Sequence, residues 1–231
     1  MASLYLVRHG QASFGSANYD SLSTLGQMQC RLLGDWWRQR NWKAVPLVSG
    51  PMQRHLQSLR SFQDGFQSDV VAGEPVVLPQ LAEFDHENVL RVYRPEFTDM
   101  AGIAHYLVST GNPRKAFQQI FTEAVERWHD GRFDADYNES WPVFRRRVQE
   151  GFALLRAEGS DKMVFTSGGV ISVIIQQLLV INDARSFAIN AVIANSSVSR
   201  VLYKDDEISL STFNTTAHLD VHNAPELISY R

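Results

Sequence analysis

The sequence predicts an α/β fold: a three-layer α/β/α sandwich with a mostly parallel central sheet and a helical insertion over the end where such sheets place their sites. Three observations carry this. Short apolar runs rich in β-branched and aromatic residues alternate with amphipathic helical patterns. Several runs end in a sharp turn that opens a helix, at Arg8-His9-Gly10, Ser49-Gly50-Pro51 and Thr166-Ser167-Gly168-Gly169. From Leu81 to about Ser160 the pattern is helical, with no strand signal. The 231 residues suit one domain over 1–231, with the helical stretch at about 84–160 inserted into it.

The elements follow in order. Leu4-Tyr5-Leu6-Val7 reads as a buried strand, and Gly10 turns the chain out of the sheet into a polar loop, Gln11 to Leu22. A helix is expected over Ser23–Arg40, with Thr24 and Gln27 as a capping box and Leu25, Gln29, Leu32, Leu33 and Trp36 along one side. Val45–Ser49 makes a second strand, and Pro51 suits the first turn of a helix over Met52–Gln67. Val76-Val77-Leu78 is a third strand, ended by Pro79. Within the insertion, helices are expected over Glu96–Val108, from Asn112-Pro113 with Phe117, Ile120, Phe121, Ala124 and Trp128 as its stripe, and from near Ser140 with Phe144, Val148, Phe152 and Leu155. Asp161–Thr166 returns to strand, and Gly169–Val180 is a buried helix. Val198–Tyr203 and Ile208–Phe213 close the chain as strands joined by a turn at Asp205-Asp206.

Composition excludes several function classes. A net charge of −3 gives no general attraction to nucleic acid or anionic membrane, so any basic site is local. The longest apolar stretch, Val164 to Ile181, is interrupted by Ser167-Gly168-Gly169 and Gln176-Gln177 and is no membrane span. Met1-Ala2-Ser3 lacks the basic start of a signal peptide, and the single cysteine, Cys30, has no internal disulfide partner. A cytoplasmic location is the expectation.

Four stations carry chemistry. His9 and Arg8 stand at the end of the first strand, and Arg54 in the first turn of the helix after the second. Glu83 follows the third strand, and Ser167-Gly168-Gly169 opens the helix after the last strand before the carboxyl-terminal pair. Helix amino termini favour anions, and the arginine fork matches phosphate oxygens. Each residue alone has an ordinary explanation as a turn, helix-surface or loop residue; together they point to phosphoryl transfer. A neutral histidine can attack phosphorus, which divides one displacement into two easier ones. Arg8 and Arg54 would hold the phosphoryl oxygens, and Glu83 would protonate the leaving oxygen and then activate water. No metal or other cofactor is required by this chemistry. The partner implied is a small phosphorylated molecule or free phosphate; oligomeric state is not encoded.

The chain resembles the histidine phosphatase superfamily, the phosphoglycerate mutase-like fold, in its first branch. Leu6-Val7-Arg8-His9-Gly10-Gln11 matches the signature around the nucleophile, and Tyr19-Asp20-Ser21-Leu22-Ser23-Thr24-Leu25-Gly26 the segment that follows. Ser49-Gly50-Pro51-Met52-Gln53-Arg54 matches the segment with the second phosphate arginine, and Glu83 lies where the family keeps its acid. The resemblance implies a phosphate site of Arg8, Arg54, Gln11, Ser13, Ser167 and Gly168 around the catalytic His9 and Glu83, with the loop to Ser16 adding donors. It also exposes a departure. Where the family has a second phosphate-contacting histidine, this chain has Ser167, which supplies no positive charge. Loss of one transition-state donor typically costs a factor of about 10² to 10³ in rate.

Among groups that would compensate, His86 reads as a loop histidine and His55 as facing the other way on its helix. His218 and His222 read as a surface pair, and His105 and His129 as packed or solvated helix residues. Arg91, Tyr93 and Arg94 are candidates for contact with the substrate body, and Arg145-Arg146-Arg147 reads as a solvated helix face. The leading reading is a metal-independent phosphomonoester hydrolase acting through a phosphohistidine on His9, with activity reduced if nothing replaces the missing histidine. The competing reading is a phosphate-binding protein of the same fold without turnover. A phosphoglycerate mutase ranks third.

Overall fold

The computed structural model describes residues 1–13, 20–67, 74–97, 103, 106 and 111–230. The central strand, β1 (Ala2–Arg8), is buried on both faces: Leu4, Leu6 and Val7 are fully enclosed. That explains why its sequence is a continuous apolar run and not an alternation. Around it lie β2 (Leu47–Ser49), β3 (Val76–Val77), β4 (Lys162–Thr166), β5 (Val198–Lys204) and β6 (Glu207–Thr215), in the order β3-β2-β4-β1-β5-β6. The β1–β4, β2–β4 and β2–β3 pairings are parallel, and β1–β5 and β5–β6 are antiparallel. The sheet is thus mixed and mostly parallel, flanked by helices, as the alternating sequence pattern predicts.

The N-cap of helix α1 (Thr24–Gln39) is Ser23, whose oxygen accepts the Gly26 amide, one residue before the Thr24 cap of the expected Thr24–Gln27 box. The buried stripe is Gly26, Gln29, Cys30, Leu33, Gly34 and Trp37, a turn of the helix that leaves Leu25, Leu32 and Trp36 only half-buried. In α2 (Gln53–Phe66) the cap is Met52, so Pro51 precedes the helix instead of lying in its first turn. Leu33 and Trp37 of α1 and Leu59 and Phe62 of α2 join Val7, Leu47, Met163, Phe165 and Val198 in one core cluster. The Tyr5 and Trp37 rings meet edge to face at 4.8 Å.

The chain divides into two compact units, residues 1–83 with 147–231 and residues 84–146. The second contains α3 (His86–Tyr93), α4 (Pro113–His129) and the start of α5 (Trp141–Arg156). Asn112 caps α4 through the Lys115 amide, with Pro113 at its first position. Phe84, Trp128, Trp141 and Phe144 form its aromatic core, with ring separations of 4.7 Å for Phe84–Trp128 and 5.2 Å for Trp128–Trp141. Of the helix expected over Glu96–Val108, only residues 96, 97, 103 and 106 are described, the last two as helical; His105 and Ser16 lie outside the described residues.

In the first unit α6 (Gly168–Leu179) is almost entirely buried and contacts β1 and β6. Two further helices, α7 (Asp183–Val192) and α8 (Ala217–Asp220), stand where the sequence offered no clear apolar period. Asn182 caps α7 by accepting the Arg185 amide, a signal that was present. Among the described residues no helix is long and apolar enough to cross a membrane.

Candidate active site

The carboxyl ends of β1, β4 and β2 are tied side by side: the His9 amide donates to Thr166 O at 2.8 Å and the Gly50 amide to Phe165 O at 2.9 Å. The turns after these strands therefore open at one edge of the sheet, as open α/β sheets require of a ligand site. His9 is buried, 6% exposed. Its Nδ1 lies 2.7 Å from Gly10 O, and because a carbonyl can only accept, Nδ1 carries the proton. Nε2 is left with its lone pair. Burial, then the nearby Arg54 and Arg8 guanidiniums and His55, hold the His9 pKa well below the ordinary histidine value. The ring is consequently neutral at physiological pH.

The backbone around His9 is held from both sides. Its carbonyl accepts from Asn195 Nδ2 at 3.2 Å and from the Ser196 amide at 3.2 Å. The Gly10 amide donates to Ser58 Oγ at 3.0 Å, and Ser58 Oγ donates on to Arg54 O at 2.7 Å, which links the β1 turn to the first turn of α2. Gly10 permits this turn because a Cβ there would lie 2.2 Å from Gly26 O, inside the α1 backbone.

Arg54 is 4% exposed, and its Nη1 meets Asp20 Oδ1 at 2.7 Å. The other Asp20 oxygen accepts the Gln53 amide at 2.8 Å, so one carboxylate braces both the arginine and the start of α2. Arg8 reaches Ile193 O through Nη1. A Cβ on Gly168 would lie 3.5 Å from Arg8 Nε, which places that glycine against the guanidinium. Glu83 Oε2 accepts the Gly169 amide at 3.0 Å, at the amino terminus of α6. The loop that carries Glu83 is anchored by Thr166 Oγ1 donating to Leu81 O at 2.8 Å and by Arg147 Nη1 donating to Gln80 O at 3.0 Å and Ala82 O at 2.9 Å. Arg147 is therefore no solvated charge.

Ser167 is the N-cap of α6 but makes no side-chain capping bond. Its Oγ instead lies 2.6 Å from His55 Nε2, and both residues are fully buried. His55 thus turns inward, opposite to the sequence expectation, with its ring centroid 5.7 Å from that of His9. Burial, then Arg54, lower its pKa well below the ordinary value. Gln11 and Ser13 sit on the loop after β1. The Gln11 side-chain oxygen accepts from Ser23 Oγ at 2.9 Å, and the Ser13 amide donates to Ser21 O at 2.8 Å. Both are engaged with the start of α1 and its approach. Among the described residues no group of three or more His, Cys, Asp or Glu side chains is arranged to hold a metal ion.

With this geometry in view, the sequence comparison is decisive. The pattern of the histidine phosphatase superfamily, branch 1, matches residues 4–97 and 104–216. The chain belongs to that family. Among solved structures, the chain resembles a phosphoglycerate mutase from Bacillus anthracis, with 14% identity, TM-score 0.64 and coverage of 96% of this chain and 97% of the other. A phosphoserine phosphatase from Entamoeba histolytica in complex with 3-phosphoglyceric acid is similar at 14% identity, TM-score 0.63 and coverage of 95% and 100%. A mycobacterial glucosyl-3-phosphoglycerate phosphatase is similar at 18% identity, TM-score 0.60 and coverage of 93% and 99%. At these identities the likeness is one of fold. Comparison with curated protein sequences gives no match.

Several residues that shape the candidate site lack a motif of their own. Ser58 and Asn195 act through hydrogen bonds that no spacing rule announces. His218 is another: it is 2% exposed, bonded at 2.8 Å to Ser196 Oγ, and not a surface partner of the exposed His222. Burial, with a smaller push from His222, drives its pKa down to about 3.

Proposed function

We propose that this histidine phosphatase hydrolyses phosphomonoesters through a phosphohistidine on His9. The observation that carries the reading is the His9 ring itself: buried, neutral, with its proton on Nδ1 bound to Gly10 O, its lone pair on Nε2, and the Arg8 and Arg54 guanidiniums near it. In the first step Nε2 forms a bond to phosphorus while the ester P–O bond breaks, and protonated Glu83 gives its proton to the leaving oxygen. In the second step water attacks the phosphohistidine, its proton passes to Glu83, and the P–N bond breaks to release phosphate. Arg8 and Arg54 neutralise the charge on the phosphoryl oxygens in both transition states. Nothing in this sequence of steps calls on a metal.

The test is turnover of p-nitrophenyl phosphate by the wild type and by His9→Ala. The proposal expects measurable hydrolysis by the first and background rates from the second; equal rates contradict it. Ser167 motivates a second reading, a phosphate-binding protein without turnover. That reading expects saturable phosphate binding that Arg54→Ala abolishes, with no hydrolysis above the uncatalysed rate. A mutase would instead exchange the phosphoryl group between phosphoglycerates.

A further inference from the structure

The far side of the His9 pocket holds a buried pair with an unusual arrangement. Serine at a helix N-cap ordinarily turns its oxygen onto the amides of its own first turn. Ser167 has the extended backbone of a cap, φ −108° and ψ 165°, yet makes no such bond and faces His55 Nε2 at 2.6 Å. The second nitrogen of His55, Nδ1, is buried and has no hydrogen-bond partner among the described residues. It lies so close to Gly50 that a Cβ there would be 2.3 Å away. A buried bare acceptor is tolerated more readily than a buried orphan N–H, so the proton of the neutral ring belongs on Nε2. Nε2–H then donates to Ser167 Oγ, and the Ser167 hydroxyl proton is available for an acceptor elsewhere.

A purely structural role explains this pair poorly. An imidazole with one satisfied nitrogen in a dry interior costs more than a hydrocarbon side chain of the same volume. Its position offers the compensation: it stands next in sequence to Arg54, 5.7 Å from the His9 ring, at the amino terminus of α6. An oxyanion over His9 Nε2 is the acceptor that this side of the pocket lacks.

We propose that His55 and Ser167 act as one unit, in which His55 aligns and polarises the Ser167 hydroxyl to donate to a phosphoryl oxygen held at His9. The imidazole on this side of the pocket is thus supplied from α2 and not from the end of β4, and it acts through the Ser167 hydroxyl. Ser167 is the contacting group, and His55 positions it. The inference rests on the reading of His9 as the phosphoryl-accepting centre, but does not require turnover.

The experiment measures tungstate affinity by calorimetry together with kcat on p-nitrophenyl phosphate. It uses the full chain in wild type, His55→Ala, Ser167→Ala, the double alanine variant and His55→Ala combined with Ser167→His. Each single alanine variant is expected to weaken tungstate binding at least tenfold and to lower kcat by about 10²-fold, the range for one lost transition-state donor. The double alanine variant should be no worse than either single one, because the two residues form one unit. Restoring an imidazole from position 167 should recover at least tenfold of each loss. If His55→Ala does not fold, His55→Gln keeps a neutral donor at similar reach and should bind tungstate within about threefold of wild type. Affinity and kcat unchanged in folded His55→Ala, additive losses in the double variant, or His55→Gln binding no better than Ser167→Ala would each overturn the inference. His55-dependent tungstate binding without turnover would uphold the pair and defeat the hydrolase reading. Turnover that needs His9 but not His55 would do the reverse.

Discussion

Glu83 Oε2 accepts the backbone N–H of Gly169 at 3.0 Å, which fastens the loop after β3 to the amino terminus of α6. The approach is so close that a Cβ on Gly169 would lie 2.1 Å from Glu83 Oε1. One carboxylate oxygen is thereby fixed while the whole group stays at the edge where β1 and β4 end. Glutamine preserves the accepting oxygen and removes the acid. Glu83→Gln should therefore fold normally but discriminate between leaving groups. An alkyl phosphate, whose alkoxide needs a proton, should lose about 10² to 10⁴ in kcat/KM, the usual range for general acid catalysis. A p-nitrophenyl ester, whose leaving group needs none, should lose far less in the first step. Equal losses on both substrates would remove Glu83 from the role of acid.

Arg54 presents a buried fork oriented by Asp20, and that geometry has a consequence for substitution. Lysine keeps the charge but not the planar pair of donors. Arg54→Lys is expected to lower kcat/KM by about 10² or more while leaving the melting temperature within a few degrees of wild type. Steady-state kinetics and a thermal melt check both halves. Full activity in the lysine variant would show that Arg54 contributes charge alone.

Arg147 lies far in sequence from the loop it supports. Removing its guanidinium leaves Gln80 O and Ala82 O without their donor, at a cost of about 1 to 3 kcal/mol. Arg147→Ala should lower the urea midpoint by the corresponding amount. It should also depress kcat more than KM, because the Glu83 loop loses an anchor and the proposed phosphate cradle of Arg8 and Arg54 does not. A drop in stability with unchanged kcat would limit Arg147 to the fold.

Among the described residues, three buried histidines bear on the acid behaviour. His9, His55 and His218 all have folded-state pKa values below their unfolded value, that of His218 about 3. Below pH 6.5 the unfolded chain binds protons at these positions and the folded chain does not, so stability falls as pH drops. The fall begins near the unfolded pKa and ends at the folded one. Each group contributes a slope of up to about 1.4 kcal/mol per pH unit in that window. Urea midpoints should decline steeply between pH 6.5 and 4.5, and His218→Asn should flatten part of that decline. On the proposed mechanism the same shift keeps His9 nucleophilic in mild acid, so kcat/KM should show no loss centred at pH 6.5 from that residue. A flat stability profile across this range would contradict the burial of the three rings as ionisable groups.

Much of the fold was legible because the strands are short apolar runs and because caps such as Asn112 mark the helices between them, although the α1 cap lies at Ser23 and not at Thr24. Burial on both faces of β1 leaves nothing else for Leu4, Leu6 and Val7 to do. The two short helices α7 and α8 escaped because their apolar residues follow no clean period. In the candidate site, His9, Arg8 and Arg54 stand at turns that the strand–turn–helix grammar marks, and Glu83 in the loop after a strand. His55 could not be read this way. It sits on a helix whose rotation is fixed by packing against the sheet, and a shift of one residue along the apolar stripe decides whether it faces solvent or Ser167. The shift in the α1 stripe from Trp36 to Trp37 has the same origin. Arg147 was misread for a related reason: three arginines in a row look solvated until the third finds two carbonyls.

The most direct test of the account is rapid quench of the protein with p-nitrophenyl phosphate under alkaline conditions, followed by mass spectrometry of the peptide that spans Leu4 to Gly10. The account predicts a single phosphoryl group on His9, acid-labile, formed and discharged at rates consistent with turnover, and absent from His9→Ala. Turnover with no phosphoryl group on His9, or a phosphorylated residue elsewhere in the chain that is competent in turnover, would contradict it.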